Sequence, residues 1–276
     1  SIGSSLSNAN LLASRRNTRM TSQSSRAHEF HRLHVPGQPL VIFNAWDAGS
    51  AQAVAAAGAR AIGTGSWSVA AAHGFPDGEK LPLELAIANL ERIVRAVDLP
   101  VSIDLEAGYG ARPDDVDRSV TCAVRAGAVG INLEDGIADE TGIYGIDDQV
   151  ARIRAARVAA DRLTVPLFIN ARTDFFLHAK PEAHDAGLVL AVKQRAAAYA
   201  QAGASGLFVP GIFKPEQIRD VCAASTLPVN VMMMASLPPH AVLAQLGVAR
   251  ISYGPGPYRE AMKFIEQAAR KAIQGA

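Results

Sequence analysis

The residues best equipped for chemistry are acidic and closely spaced. Asp104 and Glu106 stand two apart at the end of an apolar run, so in extended backbone their side chains point the same way. Glu134 ends the next such run. Carboxylates that converge in one cleft repel each other until one takes a proton or a cation joins them. No His or Cys adjoins these acids. An all-oxygen set of this kind suits Mg²⁺ or Mn²⁺, ions that keep several waters. Arg172 ends the following run, and its fork-shaped cation suits two-point binding of a substrate carboxylate. Gly63-Thr64-Gly65-Ser66 reads as a tight turn whose backbone N–H groups could hold a carboxylate or an enolate oxygen. The same acids and arginine also suit a buried network that only braces the fold. A glycine turn can equally be a packing device. Spacing alone leaves both readings open.

These residues need elements to position them. Four apolar runs follow a proline, at Pro39, Pro100, Pro166 and Pro228. Four others follow a glycine, at Gly58, Gly127, Gly203 and Gly247, and the two kinds alternate. Proline at a strand's first residue costs no ladder bond that matters. Glycine after an Ala-rich stretch supplies the left-handed residue that ends a helix. Helical period fills the intervals: 48–57, 83–97, 114–126, 147–160, 186–202, 215–224, 239–246 and 257–272. Eight strands that are apolar throughout, alternating with eight helices, predict a single-domain (β/α)₈ TIM barrel. A doubly wound open sheet is the structural alternative. In the barrel, chemistry sits where strands end. The ends carry Trp46, Thr64, Gly65, Ser66, Asp104, Glu106, Glu134, Arg172 and Asn230.

Composition removes other classes. Lys and Arg number 27 and Asp and Glu 26, so the net charge is 27 − 26 = +1, which argues against a nucleic-acid partner. No run approaches the ~20 apolar residues of a membrane helix. Two cysteines are too few for a disulfide scaffold, and Cys122 and Cys222 fall on predicted helices as core residues. None of the six lysines sits at a strand end, which disfavours a Schiff-base aldolase. Residues 1–27 are rich in Ser, Asn and Arg and lack acids, and are expected to be a disordered tail or a leader- or vector-like segment. The barrel domain is expected over 28–276, in a cytoplasmic protein.

Taken in order along residues 38–260, the strand-end motifs resemble the isocitrate lyase/phosphoenolpyruvate mutase superfamily. They are Gly63-Thr64-Gly65-Ser66 with Gly74-Phe75-Pro76-Asp77, Asp104-Leu105-Glu106-Ala107-Gly108-Tyr109-Gly110, Leu133-Glu134-Asp135, Ala171-Arg172-Thr173-Asp174 and Pro228-Val229-Asn230. The resemblance implies a 2-oxo acid chelated by Mg²⁺ and chemistry through an enolate. It implies direct metal contact from Asp104, with Glu106, Glu134 and Asp77 holding metal-bound waters. Thr64, Gly65 and Ser66 would grip the substrate carboxylate, Arg172 would bind the departing part, and Asn230 would line the pocket; Trp46, at the end of the first run, is a further substrate-binding candidate. It further implies an eighth helix exchanged between subunits of a homodimer or homotetramer.

The chain departs from that pattern in two places. Glu106 stands where the family usually has Asp. The loop 136–145 carries neither the Cys-Gly-His segment of isocitrate lyases nor the lysine of phosphonate-handling members. Tyr109 and Tyr144 become the candidate proton donors. The expected activity is a Mg²⁺-dependent carbon–carbon lyase or decarboxylase for a small 2-oxo or 2-hydroxy dicarboxylate, oxaloacetate- or methylisocitrate-like. The alternatives are P–C bond hydrolysis or transfer on a phosphonopyruvate-like substrate, and non-catalytic binding of a 2-oxo acid.

Overall fold

A computed structural model describes residues 23–138 and 142–275. Among them, eight parallel strands form one sheet: β1 (Leu40–Ile42), β2 (Ile62–Gly63), β3 (Val101–Asp104), β4 (Gly130–Glu134), β5 (Phe168–Arg172), β6 (Gly206–Phe208), β7 (Val229–Met232) and β8 (Arg250–Ser252). The order is β1-β8-β7-β6-β5-β4-β3-β2. A parallel bridge from Ala45 to Thr64 draws the ends of β1 and β2 together. The chain is therefore a (β/α)₈ barrel. In-register pairs set Asp104 beside Asn132 and Glu134 beside Arg172, so the end of each strand carries its side chain to a common mouth.

The helices are α1 (residues 23–32), α2 (Ala48–Ala56), α3 (Ser66–Ala72), α4 (Leu83–Ala96), α5 (Pro113–Ala126), α6 (Ile146–Arg162), α7 (Phe175–His178), α8 (Ala186–Gln201), α9 (Pro215–Ala224), α10 (His240–Gln245) and α11 (Gly256–Gln274). The eight predicted helices fall on α2, α4, α5, α6, α8, α9, α10 and α11. Gly127 ends α5 in the left-handed region at φ 107°, with its N–H on the Ala123 and Val124 carbonyls. Short α3 and α7 are additions that the sequence did not signal.

The described structure includes residues before the expected start at residue 28. α1 is described from residue 23, where the Gln23 side-chain amide donates to the carbonyls of Val124 and Ala128 at 2.8 Å each. Ala27 and Phe30 are fully buried. The Phe30 ring meets Phe168 edge-on at 5.4 Å, and full burial of such a ring contributes about 2–3 kcal/mol. Its closeness explains Gly130, where a Cβ would stand 2.6 Å from the Phe30 ring. The polar residues of the first turn concealed this anchor. Residues 1–22, most of the expected tail, lie outside the described residues.

The last helix departs from the packing of the others. Of α11 only Pro257 is buried, and Phe264 and Ile265 are 71% and 55% exposed. Elsewhere on the surface a groove of about 600 Å³ is lined by Pro39, Val41, Phe43, Val54 and neighbours. No helix among the described residues is long and apolar enough to cross a membrane.

Candidate active site

The β3 end is the acidic side of the mouth. The Asp104 backbone N–H donates to the Thr64 hydroxyl at 3.1 Å, and Asp104 Oδ2 accepts from the Ser66 N–H at 3.2 Å. Asp104 Oδ1 is buried and has no hydrogen-bond partner. Two residues on, Glu106 is buried and accepts the N–H groups of Gly78 and Glu79 at 3.0 and 2.6 Å. Burial, with Asp104 and Asp77 nearby, pushes its carboxyl up to about 8. Asp77 stands on the exposed rim after α3. Partial desolvation and the Asp104 charge raise its carboxyl, while Arg172 pulls the other way.

Glu106 and Tyr109 hold φ of 50° and 59°, in the left-handed region that non-glycine residues rarely adopt. Glu79, whose carboxylate accepts the Tyr109 N–H at 2.6 Å, has φ 60°. Strain of this kind costs of order 1–3 kcal/mol per residue and tends to gather at functional sites. A cavity of about 10 Å³, the room for one water-sized group, is lined on its polar side by Thr64, Ser66, Asp104, Glu106 and Tyr109. Burial and the Glu106 charge raise the Tyr109 phenol, so it keeps its proton at neutral pH.

The β4 and β5 ends form the cationic side. Arg172 Nη1 lies 2.7 Å from Glu134 Oε2. The contact is an ion pair without hydrogen-bond alignment, since that oxygen has no hydrogen-bond partner. The two-point partner of Arg172 is Asp174: Nε and Nη2 donate to its two oxygens at 2.6 and 2.9 Å. Burial opposes the Arg172 charge, yet Glu134, Asp174 and Asp104 more than offset it and keep it protonated. Burial raises the Glu134 carboxyl against the pull of Arg172. Asp174, in the Ala171-Arg172-Thr173-Asp174 segment, is a site residue whose spacing gives no signal of its role.

The small-residue segment differs from the tight turn expected. Gly65 has extended backbone and caps α3, whose first residue is Ser66. The Ser66 N–H is turned onto Asp104. Asn230 is buried in a ladder across the barrel, in which Asn170 donates to Asn132 and to Asn230 at 2.9 and 3.0 Å. Arg250 is buried below, with Nε on Ser252 and Nη1 without a partner. Trp46 is half-buried, its ring edge-on to Tyr258 at 5.2 Å. Tyr144 places its ring 4.2 Å from the Arg152 guanidinium and its carbonyl on Arg195 Nη2 at 2.8 Å. These are the contacts of a packing residue.

Residues 30–273 match the family model described as phosphoenolpyruvate phosphomutase. The chain belongs to the phosphoenolpyruvate mutase family. It is an enzyme of the isocitrate lyase/phosphoenolpyruvate mutase superfamily. It is 32% identical over 216 residues to 2-methylisocitrate lyase of Escherichia coli K12, covering 71% of this chain and 69% of the relative. It is 29% identical over 209 residues to oxaloacetate decarboxylase of Pseudomonas fluorescens SBW25, covering 72% and 68%. Among solved structures, a protein of Burkholderia cenocepacia J2315 described as a candidate phosphonomutase is 54% identical, with TM-score 0.88 over 92% of this chain and all of that one.

The residues of this family member fit a hard divalent cation, with one change from the sequence expectation. Spacing suggested that Asp104, Glu106 and Glu134 converge on one ion. Among the described residues no three acidic, histidine or cysteine groups stand together as a direct ligand set. Glu106 is committed to backbone N–H groups and Glu134 to Arg172. Both Asp104 Oδ1 and Glu134 Oε2 are buried without a hydrogen bond, but Glu134 Oε2 is ion-paired to Arg172, so among these acids it is Asp104 that presents an uncommitted oxygen, amid carboxylates whose mutual repulsion a cation would relieve. That donor set suits Mg²⁺, which is often held through one or two carboxylates with several waters retained.

Proposed function

We propose that this chain is a Mg²⁺-dependent lyase or decarboxylase for a small 2-oxo or 2-hydroxy dicarboxylate, with oxaloacetate as the simplest candidate. The observation that carries the reading is Asp104: a buried oxygen without a partner, ringed by acids and facing the side of the mouth that holds Arg172. Asp104 would hold the ion directly, and Glu106, Glu134 and Asp77 would act on its waters. When bound, the ion supplies Lewis-acid stabilisation of the charge that develops on the 2-oxo oxygen. Arg172 can exchange part of its contact with Asp174 or Glu134 for a substrate carboxylate and so orient the departing group. Thr64, Gly65 and Ser66 offer polar groups to the other carboxylate, and Asn230 and Trp46 bound the pocket. As the C–C bond breaks, its electron pair stays on the enolate carbon–oxygen system and CO₂ departs. Tyr109 carries a proton beside the same cavity, where it can reprotonate carbon. Decarboxylation asks for the least acid–base equipment, consistent with a loop 136–145 that holds no Cys, His or Lys.

Oxaloacetate turnover, followed by loss of its enol absorbance and by pyruvate formation, tests the reading. Activity should depend on Mg²⁺, vanish with chelator and fall at least about a hundredfold in Asp104→Ala. Full activity of that variant in chelator overturns it. A second reading, P–C bond hydrolysis or transfer, is favoured by the 54% identity to the phosphonomutase candidate. Phosphate release from phosphonopyruvate, with no pyruvate from oxaloacetate, would select it.

The exposed apolar face of α11 suits the groove beside β1 on a second copy, which would give a homodimer or homotetramer with exchanged C-terminal helices.

A further inference from the structure

The loop after β3 is the most strained stretch of the mouth. Glu106, Gly108, Tyr109 and Gly110 all have positive φ, at 50°, 93°, 59° and 145°. A Cβ at Gly108 would stand 2.9 Å from Val116, and one at Gly110 would stand 2.5 Å from Asp115, so the backbone is pressed against α5. A chain held this way needs its conformation over-determined by neighbours. The neighbour is Arg152 of α6, which is 1% exposed. Its guanidinium donates to the carbonyls of Ala107, Gly110 and Ala111, and its Nε donates to Gln149. One buried side chain from an outer helix therefore fixes three carbonyls of the loop that carries Glu106 and Tyr109.

A second arginine reaches the loop after β4 from α8. Arg195 donates to Asp135 and to the Tyr144 carbonyl, at 3.1 and 2.8 Å. Asp135 also accepts the Tyr199 hydroxyl and the Asp174 N–H, at 2.8 and 3.0 Å. Arg195 is thus tied to the residue that holds Arg172. Tyr144 joins the two systems: its ring lies on Arg152 and its carbonyl on Arg195.

We infer that Arg152 and Arg195 are positioning residues for the mouth, coupled through Tyr144, whose ring rather than its hydroxyl is the working part. The functional half of this inference rests on the Mg²⁺ and 2-oxo acid reading above; the structural half does not. The ring shields the Arg152 guanidinium and limits its freedom, so the β3 loop stays in its strained form and Glu106 stays in register with Asp104. Partners of this outer kind typically carry 10–100-fold effects on metal affinity or activity.

Hydrogen exchange of the ligand-free full chain, with calorimetry of oxalate plus Mg²⁺ as the binding probe, tests it. Arg152→Met and Tyr144→Ala should speed exchange at the Gly108 and Tyr109 amides by about tenfold or more, while Ile131 and Ile169 in the strands keep wild-type protection. Both should weaken oxalate binding about 10–100-fold. Tyr144→Phe, which keeps the ring, should restore both readouts. Wild-type protection in Tyr144→Ala overturns the inference, as does lost protection with unchanged oxalate affinity. A Tyr144→Phe protein as impaired as Tyr144→Ala also overturns it, by assigning the role to the hydroxyl. If Arg152→Met does not fold, the two Tyr144 variants decide alone. If wild-type protein binds no oxalate with Mg²⁺, the functional reading fails and the exchange result still decides the positioning role.

Discussion

Arg172 divides its guanidinium between Glu134 at 2.7 Å and both oxygens of Asp174, which is 2% exposed. Removing one partner of a buried pair leaves an uncompensated charge and costs about 3–5 kcal/mol. Asp174→Ala should therefore lose about 3 kcal/mol in urea unfolding, and oxaloacetate kcat/KM should fall at least about tenfold as Arg172 loses its orientation. Unchanged stability would mean that Glu134 alone neutralises the arginine. The acids and Arg172 were legible because each ends an apolar run, where a barrel delivers it to the mouth. Asp174 was not, because a carboxylate two residues after an arginine has no distinguishing spacing; only the turn into α7 folds it back onto the fork. How the three acids divide their contacts is not carried by spacing either. Spacing shows which side chains share a side of the sheet, but not that Glu106 is committed to the N–H groups of a distant loop.

The turn that follows α1 carries an acid-sensitive contact. The His34 ring stacks on Phe168 at 3.9 Å, and its Nδ1 lies 2.7 Å from the Phe30 carbonyl. Nε2 is buried without a partner. Burial and the nearby Arg250 charge lower its pKa to about 3, with the Phe30 carbonyl acting the other way. The unfolded chain takes this proton near pH 6.5 and the folded chain does not, so stability is full above that pH and falls as pH drops toward 3. At pH 5 the loss from this group is about 2 kcal/mol. His34→Phe should flatten the decline between pH 7.5 and 5 by that amount in urea titrations; an unchanged slope would place the proton elsewhere. Elements were the most legible level, since Pro and Gly preludes bound nearly every strand. The arginines inside helices were overlooked, although a signal existed. Arg195 lies on the buried stripe with Val189, Val192, Ala196 and Tyr199, and Arg152 lies beside Gln149, Ile153 and Ala156. A cation on an apolar helical stripe needs a buried acceptor, and here the acceptors are loop carbonyls and Asp135.

For the whole molecule, the unpacked α11 is the feature to explain. Leaving Phe264 and Ile265 in water forgoes up to about 2–3 kcal/mol per side chain, which a partner's groove could recover. Phe264→Glu should shift the protein toward monomer in sedimentation velocity, with the far-ultraviolet spectrum unchanged because that residue makes little contact within its own chain. A wild-type oligomer distribution in that variant would remove α11 from the interface. The barrel could be read from the alternation of its elements, but the placement of α11 could not, because an amphipathic helix looks the same whether it covers its own barrel or another.

On this reading Asp104 presents its free oxygen to a divalent ion that binds together with a 2-oxo acid. Calorimetry with oxalate, whose two carboxylates resemble the charge and shape of a pyruvate enolate, addresses it directly. Binding is expected in Mg²⁺ and none in chelator, with a loss of about a hundredfold or more in Asp104→Asn, which keeps the side-chain shape. Equal affinity with and without Mg²⁺, or wild-type affinity in Asp104→Asn, would contradict it.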